Sequence, residues 1–197
     1  MNIGFDIDGV LNNSRKWEIE AGTKYFARRG IPLIDENAYH LCNMFGVTSK
    51  DEDEFWDKLV FDYAKEVVVR DFASEIVNKL KADGNKIFII TARYLSTLND
   101  ERGEKMRQLV KDWLKTNNIE YDDIVFSGES KINNIKNKKI DIMIEDSPRN
   151  IKEISKLIPV ICYDNVYNKD VYGKNIFRVN DFKELYNKIY EIKNAKI

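Results

Sequence analysis

From Asp71 onward, short apolar runs alternate with segments of helical spacing, and this alternation restricts the chain to a parallel-sheet α/β architecture. Apolar runs fall at Lys86 to Thr91, Ile124 to Phe126, Ile140 to Ile144 and Val160 to Tyr163. Between them lie helical patterns through Ile76, Val77 and Leu80, from Met106 to Leu114, near Ile132 and Ile135, and through Ile151, Ile154 and Leu157. Gly84 sits where the first of these helices should end. A short edge strand at Phe177 to Val179 and a last helix from about Phe182 to Ile192 complete the series. Parallel strands need long crossovers, and helices of this length supply them while covering both faces of the sheet. The expected fold class is α/β, a Rossmann-like doubly wound parallel sheet.

The N-terminal third breaks the pattern. Ile3 to Asp8 reads as a buried strand bounded by Gly9, but no convincing strand follows until Lys86. Instead Trp17, Ala21 and Phe26, then Phe55, Leu59 and Tyr63, recur at helical spacing, with breaks near Gly30-Ile31-Pro32 and Gly46. Ser49 and Glu52 are spaced as a capping box. Residues 12–70 are therefore expected to be a helical insertion after the first strand, and residues 1–11 and 71–197 the core.

The 197 residues are 43% apolar, enough for a full core without a disulfide or structural metal. A formal charge of -1, from 32 basic and 33 acidic residues, argues against holding a nucleic acid polymer by bulk charge. Cys42 and Cys162 stand far apart without zinc-ligand spacing, and both are expected to be buried reduced thiols. Asp6 and Asp8 interrupt the only apolar run near the N-terminus, which excludes a membrane span or signal peptide there. The expectation is a cytoplasmic chain that does not engage a membrane.

Chemistry concentrates at the strand ends. Asp6 and Asp8, two residues apart on a strand, project to the same side with Cα atoms roughly 6 to 7 Å apart. Carboxylates this close repel unless one is protonated or a cation lies between them, and Mg2+ is a hard oxygen-seeking candidate. Gly9 then lets the backbone turn and a ligand approach the main chain. Thr91-Ala92-Arg93 places a hydroxyl and a backbone amide at the end of the second core strand. Lys131 opens a helix, with Lys136, Lys138 and Lys139 as competitors nearby. Glu145 and Asp146 end another buried strand before Ser147-Pro148, where either metal binding or helix capping accounts for them.

Taken together and in order, Asp6-Ile7-Asp8-Gly9-Val10-Leu11, Thr91, Lys131 and Glu145-Asp146 resemble the four motifs of the haloacid dehalogenase-like superfamily. The resemblance spans the core and implies a hydrolase of phosphate monoesters. It implies that Asp6 is the nucleophile and Asp8 the general acid/base. Thr91, Ala92 and Lys131 would bind the phosphoryl oxygens, and Asp6, the Asp8 carbonyl and Asp146 would hold Mg2+. Glu145 stands where the superfamily has the first acid of a paired Asp-Asp, a position beside the metal. Arg93 lies close enough to touch substrate phosphate or to pair with an acid.

The opening motif, the Thr-Ala-Arg segment, the Ile-Glu-Asp-Ser-Pro ending and the helical insertion are similar to the 5′(3′)-deoxyribonucleotidase family and its bacterial nucleotidase relatives. That likeness implies a small-molecule phosphate monoester as partner, a nucleoside monophosphate above all, and leaves the oligomeric state open. Aromatic residues of the insertion (Trp17, Tyr39, Phe45, Phe55 and Trp56) either stack a base or fill the insertion's own core, and His40, the only histidine, receives no role. A phosphatase for a sugar phosphate is the alternative. A phospho-signalling receiver is disfavoured by the large insertion after strand one, and an inactive binding protein by the presence of every expected group.

Overall fold

The computed structural model describes residues 1–128 and 130–195, so the last two positions of the expected core, 196 and 197, lie outside the described residues. Six strands, β1 (Asn2–Phe5), β2 (Lys86–Thr91), β3 (Asp123–Phe126), β4 (Ile142–Glu145), β5 (Val160–Tyr163) and β6 (Ile176–Val179), form one sheet. Its order is β3-β2-β1-β4-β5-β6, with every neighbouring pair parallel. This is the doubly wound order, and the direction of winding reverses between β1 and β4.

Helices cover both faces because each strand alternates two apolar sets. Ile3, Phe5, Ile87, Ile89, Ile142 and Ile144 point to one side, where α4 (Ala73–Ala82), α5 (Glu101–Thr116) and α8 (Phe182–Asn194) add Val77, Leu80, Met106, Val110, Leu185 and Ile189. Phe88, Ile90, Met143, Val160 and Cys162 point to the other, against Ile135 of α6 (Ile132–Lys138) and Ile151 and Ile154 of α7 (Pro148–Ile154). At Gly4 the second side has no room: a Cβ there would lie 2.7 Å from Met143 Sδ and 3.3 Å from Ile140.

Between β1 and β2 the chain forms α1 (Ser14–Ala27), α2 (Leu41–Phe45) and α3 (Ser49–Glu66) before α4. Phe26, Leu41, Met44, Phe45 and Phe55 make a separate buried cluster among these helices. Val60, Tyr63 and Ala64 of α3 join the main core instead. The chain leaves and re-enters the sheet side by side. Asn13 N–H donates to Val68 O at 3.0 Å, Arg70 N–H to Leu11 O at 2.9 Å, and Asn12 bridges Val69 antiparallel.

Three local expectations need correction. The first strand ends at Phe5, and Ile7–Leu11 winds into a helical turn, so Asp6 and Asp8 follow the strand rather than ride on it. Gly9, at φ +75°, makes that turn possible. The capping box at α3 uses Thr48 and Asp51, one residue earlier than Ser49 and Glu52. Glu52 instead accepts hydrogen bonds from the Leu41 and Cys42 N–H groups, both at 3.2 Å, and so caps α2. Cys162 is buried as expected, but Cys42 is only half-buried, and both thiols are free.

Gly4→Val forces two extra methyl groups and a Cβ against Met143 and Ile140, and overpacking of this kind costs about 1–3 kcal/mol. Chemical denaturation of the variant should show that loss, with an unchanged dependence of stability on denaturant concentration.

Candidate active site

The sheet order makes the site. Because β1 and β4 are neighbours, with Phe5 opposite Ile144, the residues that follow them emerge side by side at the carboxyl ends. Asp6 N–H still donates to Ile144 O at 3.0 Å, so Asp6 is fixed next to Glu145 and Asp146 at the point where the winding reverses. Asp6, Glu145 and Asp146 are all buried, and each offers an oxygen within 4.8 Å of the others.

Lys131 answers part of this charge. It is the residue preceding α6, it is 1% exposed, and its Nζ lies 2.9 Å from Asp6 Oδ1 and 2.7 Å from Glu145 Oε2. Burial opposes its charge, but the two carboxylates outweigh burial and hold it above the ordinary lysine range. Of the four lysines in this stretch, the structure brings Lys131 to the acids, whereas Lys138 pairs with Asp123 at the surface.

Three acids against one ammonium leave an excess of negative charge. Burial lifts Asp6 to about 7 despite Lys131 beside it, with Glu145 and Asp8 adding to the rise. Burial, then Glu145 and Asp6, hold Asp146 well above the usual carboxylate range. Both Glu145 oxygens are engaged, one by Lys131 and the other by the Ser147 N–H at 3.1 Å. Asp146 accepts a hydrogen bond from the Tyr167 hydroxyl through Oδ2. One oxygen each of Asp6 and Asp146 therefore remains for a divalent cation, and the cluster fits one.

Asp8 lives in the opposite environment. Its Oδ1 accepts hydrogen bonds from Asn12 Nδ2 at 2.9 Å, from the Tyr63 hydroxyl and from Arg93 Nη2, and its Oδ2 accepts from Arg93 Nε at 3.0 Å. Burial pushes the carboxyl up, but Arg93 and these hydrogen bonds prevail and hold it below the ordinary range. Arg93 thus pairs with an acid, Asp8. Gly9 is indispensable here for a second reason: a Cβ would overlap the Asp146 carboxylate and crowd the Tyr167 hydroxyl.

Thr91 ends β2 fully buried, and its hydroxyl has no hydrogen-bond partner among the described residues. A buried hydroxyl without a partner costs free energy unless something arrives to satisfy it. Ala92, next along, is exposed in a cleft of about 730 Å³ that also reaches Asp6, Asp8, Asp146, Tyr39 and His40. An adjoining lobe of about 560 Å³ shares Asp8, His40 and Ala92 and adds Trp56, Tyr63 and Arg93.

Among the aromatic residues singled out in the insertion, Phe45 and Phe55 are buried in its own cluster, and Trp17 packs between Trp56 and Tyr63. Tyr39 and Trp56 reach the cleft. Sequence reasoning did not find Tyr63, Tyr167 or Asn12. Tyr63 carried a signal only as an apolar position at helical spacing, Asn12 only as the last residue of the Asp-Ile-Asp-Gly-Val-Leu-Asn opening, and Tyr167 carried none.

A doubly wound parallel sheet bearing acids after its first and fourth strands, a lysine at a helix start and a threonine at a strand end defines a phosphatase of the haloacid dehalogenase-like superfamily. Residues 1–196 match the model of the family described as 5′ nucleotidase, deoxy (pyrimidine), cytosolic type C protein, and the chain belongs to that family. Nucleotidase CA_C3379 of Clostridium acetobutylicum is 28% identical over 188 residues, covering 94% of this chain and 92% of the relative. The Bacillus subtilis protein YqfW is 30% identical over 193 residues, covering 93% and 91%. In fold the chain is similar to the crystal structure of a predicted phosphatase from Clostridium acetobutylicum (TM-score 0.67, 18% identity, 96% and 98% of the two chains). It is also similar to a β-phosphoglucomutase from Clostridium difficile (TM-score 0.63, 16% identity, 99% and 97%). No helix among the described residues is long and apolar enough to cross a membrane.

Lys131→Met keeps much of the side-chain volume but removes the only cation among the described residues that pairs with Asp6 and Glu145, and stranding buried charge this way costs about 3–5 kcal/mol. Denaturation at neutral pH without divalent cation should show that loss. Part of it should return at pH 5, because lowering the pH neutralises carboxyls whose folded-state affinity for protons is already raised.

Proposed function

We propose that this protein is a magnesium-dependent phosphomonoester hydrolase that works through an aspartyl phosphate on Asp6 and acts on nucleoside monophosphates, favouring deoxyribonucleotides. The observation that carries the reading is the meeting of Asp6, Lys131 and Asp146 at the switch point of the sheet, with the Thr91 hydroxyl buried and without a partner among the described residues at the end of neighbouring β2.

In this reading an Asp6 carboxylate oxygen attacks phosphorus in line. Lys131, the Thr91 hydroxyl and the Ala92 N–H hold the phosphoryl oxygens as charge shifts in the transition state. Asp8 serves the leaving oxygen as acid and then takes a proton from the water that hydrolyses the acyl phosphate. Asp6, the Asp8 carbonyl and Asp146 would hold magnesium, which when bound neutralises charge shared by the acids and the phosphoryl group. Glu145 supports this set from behind, through Lys131 and the Ser147 N–H.

Residues 12–70 act as a cap whose two connections run side by side, with Tyr39 and Trp56 available to a base from the cap side of the cleft. The nucleotide assignment draws support from the family's description and from the name of the Clostridium acetobutylicum relative. The exposed tyrosine and half-buried tryptophan beside the cleft agree with it.

A panel of phosphate monoesters assayed with purified protein tests the substrate class. Deoxyribonucleoside monophosphates should give the highest kcat/KM, and a consistent preference for sugar phosphates would contradict the assignment. Asp6→Asn should lower turnover by about a thousandfold or more while leaving the circular dichroism spectrum unchanged. Chelation should abolish activity and magnesium restore it. Magnesium should also raise the melting temperature more at pH 8 than at pH 5, where protons compete for the same carboxylates.

A further inference from the structure

From α3 of the insertion Tyr63 reaches Asp8, its hydroxyl donating to Asp8 Oδ1. Tyr63 is 4% exposed, and its ring is fixed on three sides. Trp17 packs against it edge-on at 5.0 Å and Trp56 at 5.5 Å, and the Arg93 guanidinium lies 4.9 Å from its centroid. Tyr63 thus braces both the carboxylate and the arginine paired with it.

The hydrogen bonds on Asp8 are unequal. Oδ1 takes three, from Tyr63, Asn12 and Arg93, which exhausts its lone pairs, while Oδ2 takes one, from Arg93 Nε. Oδ2 is the atom left with capacity for a proton. The Asp8 side chain stays 30% exposed, so the carboxylate is reachable from the cleft that also holds Asp6. A carboxylate held by three donors on one oxygen and one on the other keeps its spare acceptor capacity at Oδ2 and presents a general base in one orientation.

We propose that Tyr63 is a positioning residue for the hydrolytic half of the reaction: it locks Asp8 Oδ1 so that Oδ2 faces the water that attacks phosphorus. The assignment rests on the aspartyl-phosphate reading. In the step concerned, the water oxygen bonds to phosphorus as its proton passes to Asp8 Oδ2. The bond from phosphorus to the Asp6 oxygen breaks, its electron pair returns to the Asp6 carboxylate, and inorganic phosphate departs. Through Tyr63, a residue of the insertion sets the geometry of that step.

Tyr63→Phe removes only the hydroxyl, and Asp8 Oδ1 keeps Asn12 and Arg93, so no buried group is stranded. A melting temperature within a few degrees of wild type establishes that the variant is folded. With a deoxyribonucleoside monophosphate and magnesium, kcat should fall by about 10- to 100-fold with KM no higher than in the wild type. Rapid acid quench with radiolabelled substrate should show more phosphoenzyme at steady state than in the wild type. A kcat within twofold of wild type, a KM raised in step with any loss of kcat, or a fall in kcat without phosphoenzyme accumulation would each overturn the assignment. Wild-type protein and Asp6→Asn run alongside separate the two readings. If wild type forms no phosphoenzyme, the acyl-phosphate mechanism fails; if it does and Tyr63→Phe forms no more, only the role of Tyr63 fails.

Discussion

The structure depends on how it manages three carboxylates forced together at the end of an apolar sheet. The strand order places β1 beside β4, and the registry of Phe5 with Ile144 leaves Asp6 no position except next to Glu145 and Asp146. Lys131 spans Asp6 and Glu145 from the start of α6 and removes part of the repulsion. The remainder is the property on which the site runs: an incomplete neutralisation in a low-dielectric setting favours a divalent cation and a group that can share it.

Two aspartates separated by one residue receive opposite treatment. Asp6 has burial and acidic neighbours, with a proton affinity lifted to about 7, whereas Asp8 has an arginine, a phenol and an amide and is held below the ordinary range. The turn over Ile7–Leu11 achieves the separation. It carries Asp8 off the strand toward Arg93 and α3 while Asp6 stays at the β4 side. The helices between β1 and β2 take part in this. They own a separate apolar cluster, yet α3 sends Tyr63 into the main core to meet Asp8.

Much of this was legible in the residues. Short apolar runs bounded by turn residues located all six strands, because buried parallel strands need continuous apolar sequence whatever the tertiary context. The insertion was visible as helical spacing where a second strand was due. The hydroxyl of Thr91 and the ammonium of Lys131 stood out by their place at element ends. What escaped is instructive in each case. Ile7 continues the apolar run past Asp6, so the residues alone extend the strand through Asp8, and only the left-handed geometry at Gly9 shows that the chain has already turned. Glu52 has the spacing to cap its own helix, but its carboxylate is long enough to cap α2 instead. Tyr63 and Tyr167 serve as donors to Asp8 and Asp146, yet in sequence they cannot be told from core and loop aromatics. Their hydroxyls gain meaning only when distant segments meet.

The central claim is that Asp6, rather than any neighbouring acid, becomes covalently linked to phosphorus. Quenching the reaction in acid, reducing with borohydride and mapping peptides by mass spectrometry reads this at single-residue resolution, since acyl phosphates are reduced and free carboxylates are not. The account predicts that the reduced side chain is found at Asp6 alone and depends on both substrate and magnesium. Reduction at Asp8 or Asp146 instead, or no modified carboxyl during continuing turnover, would contradict it.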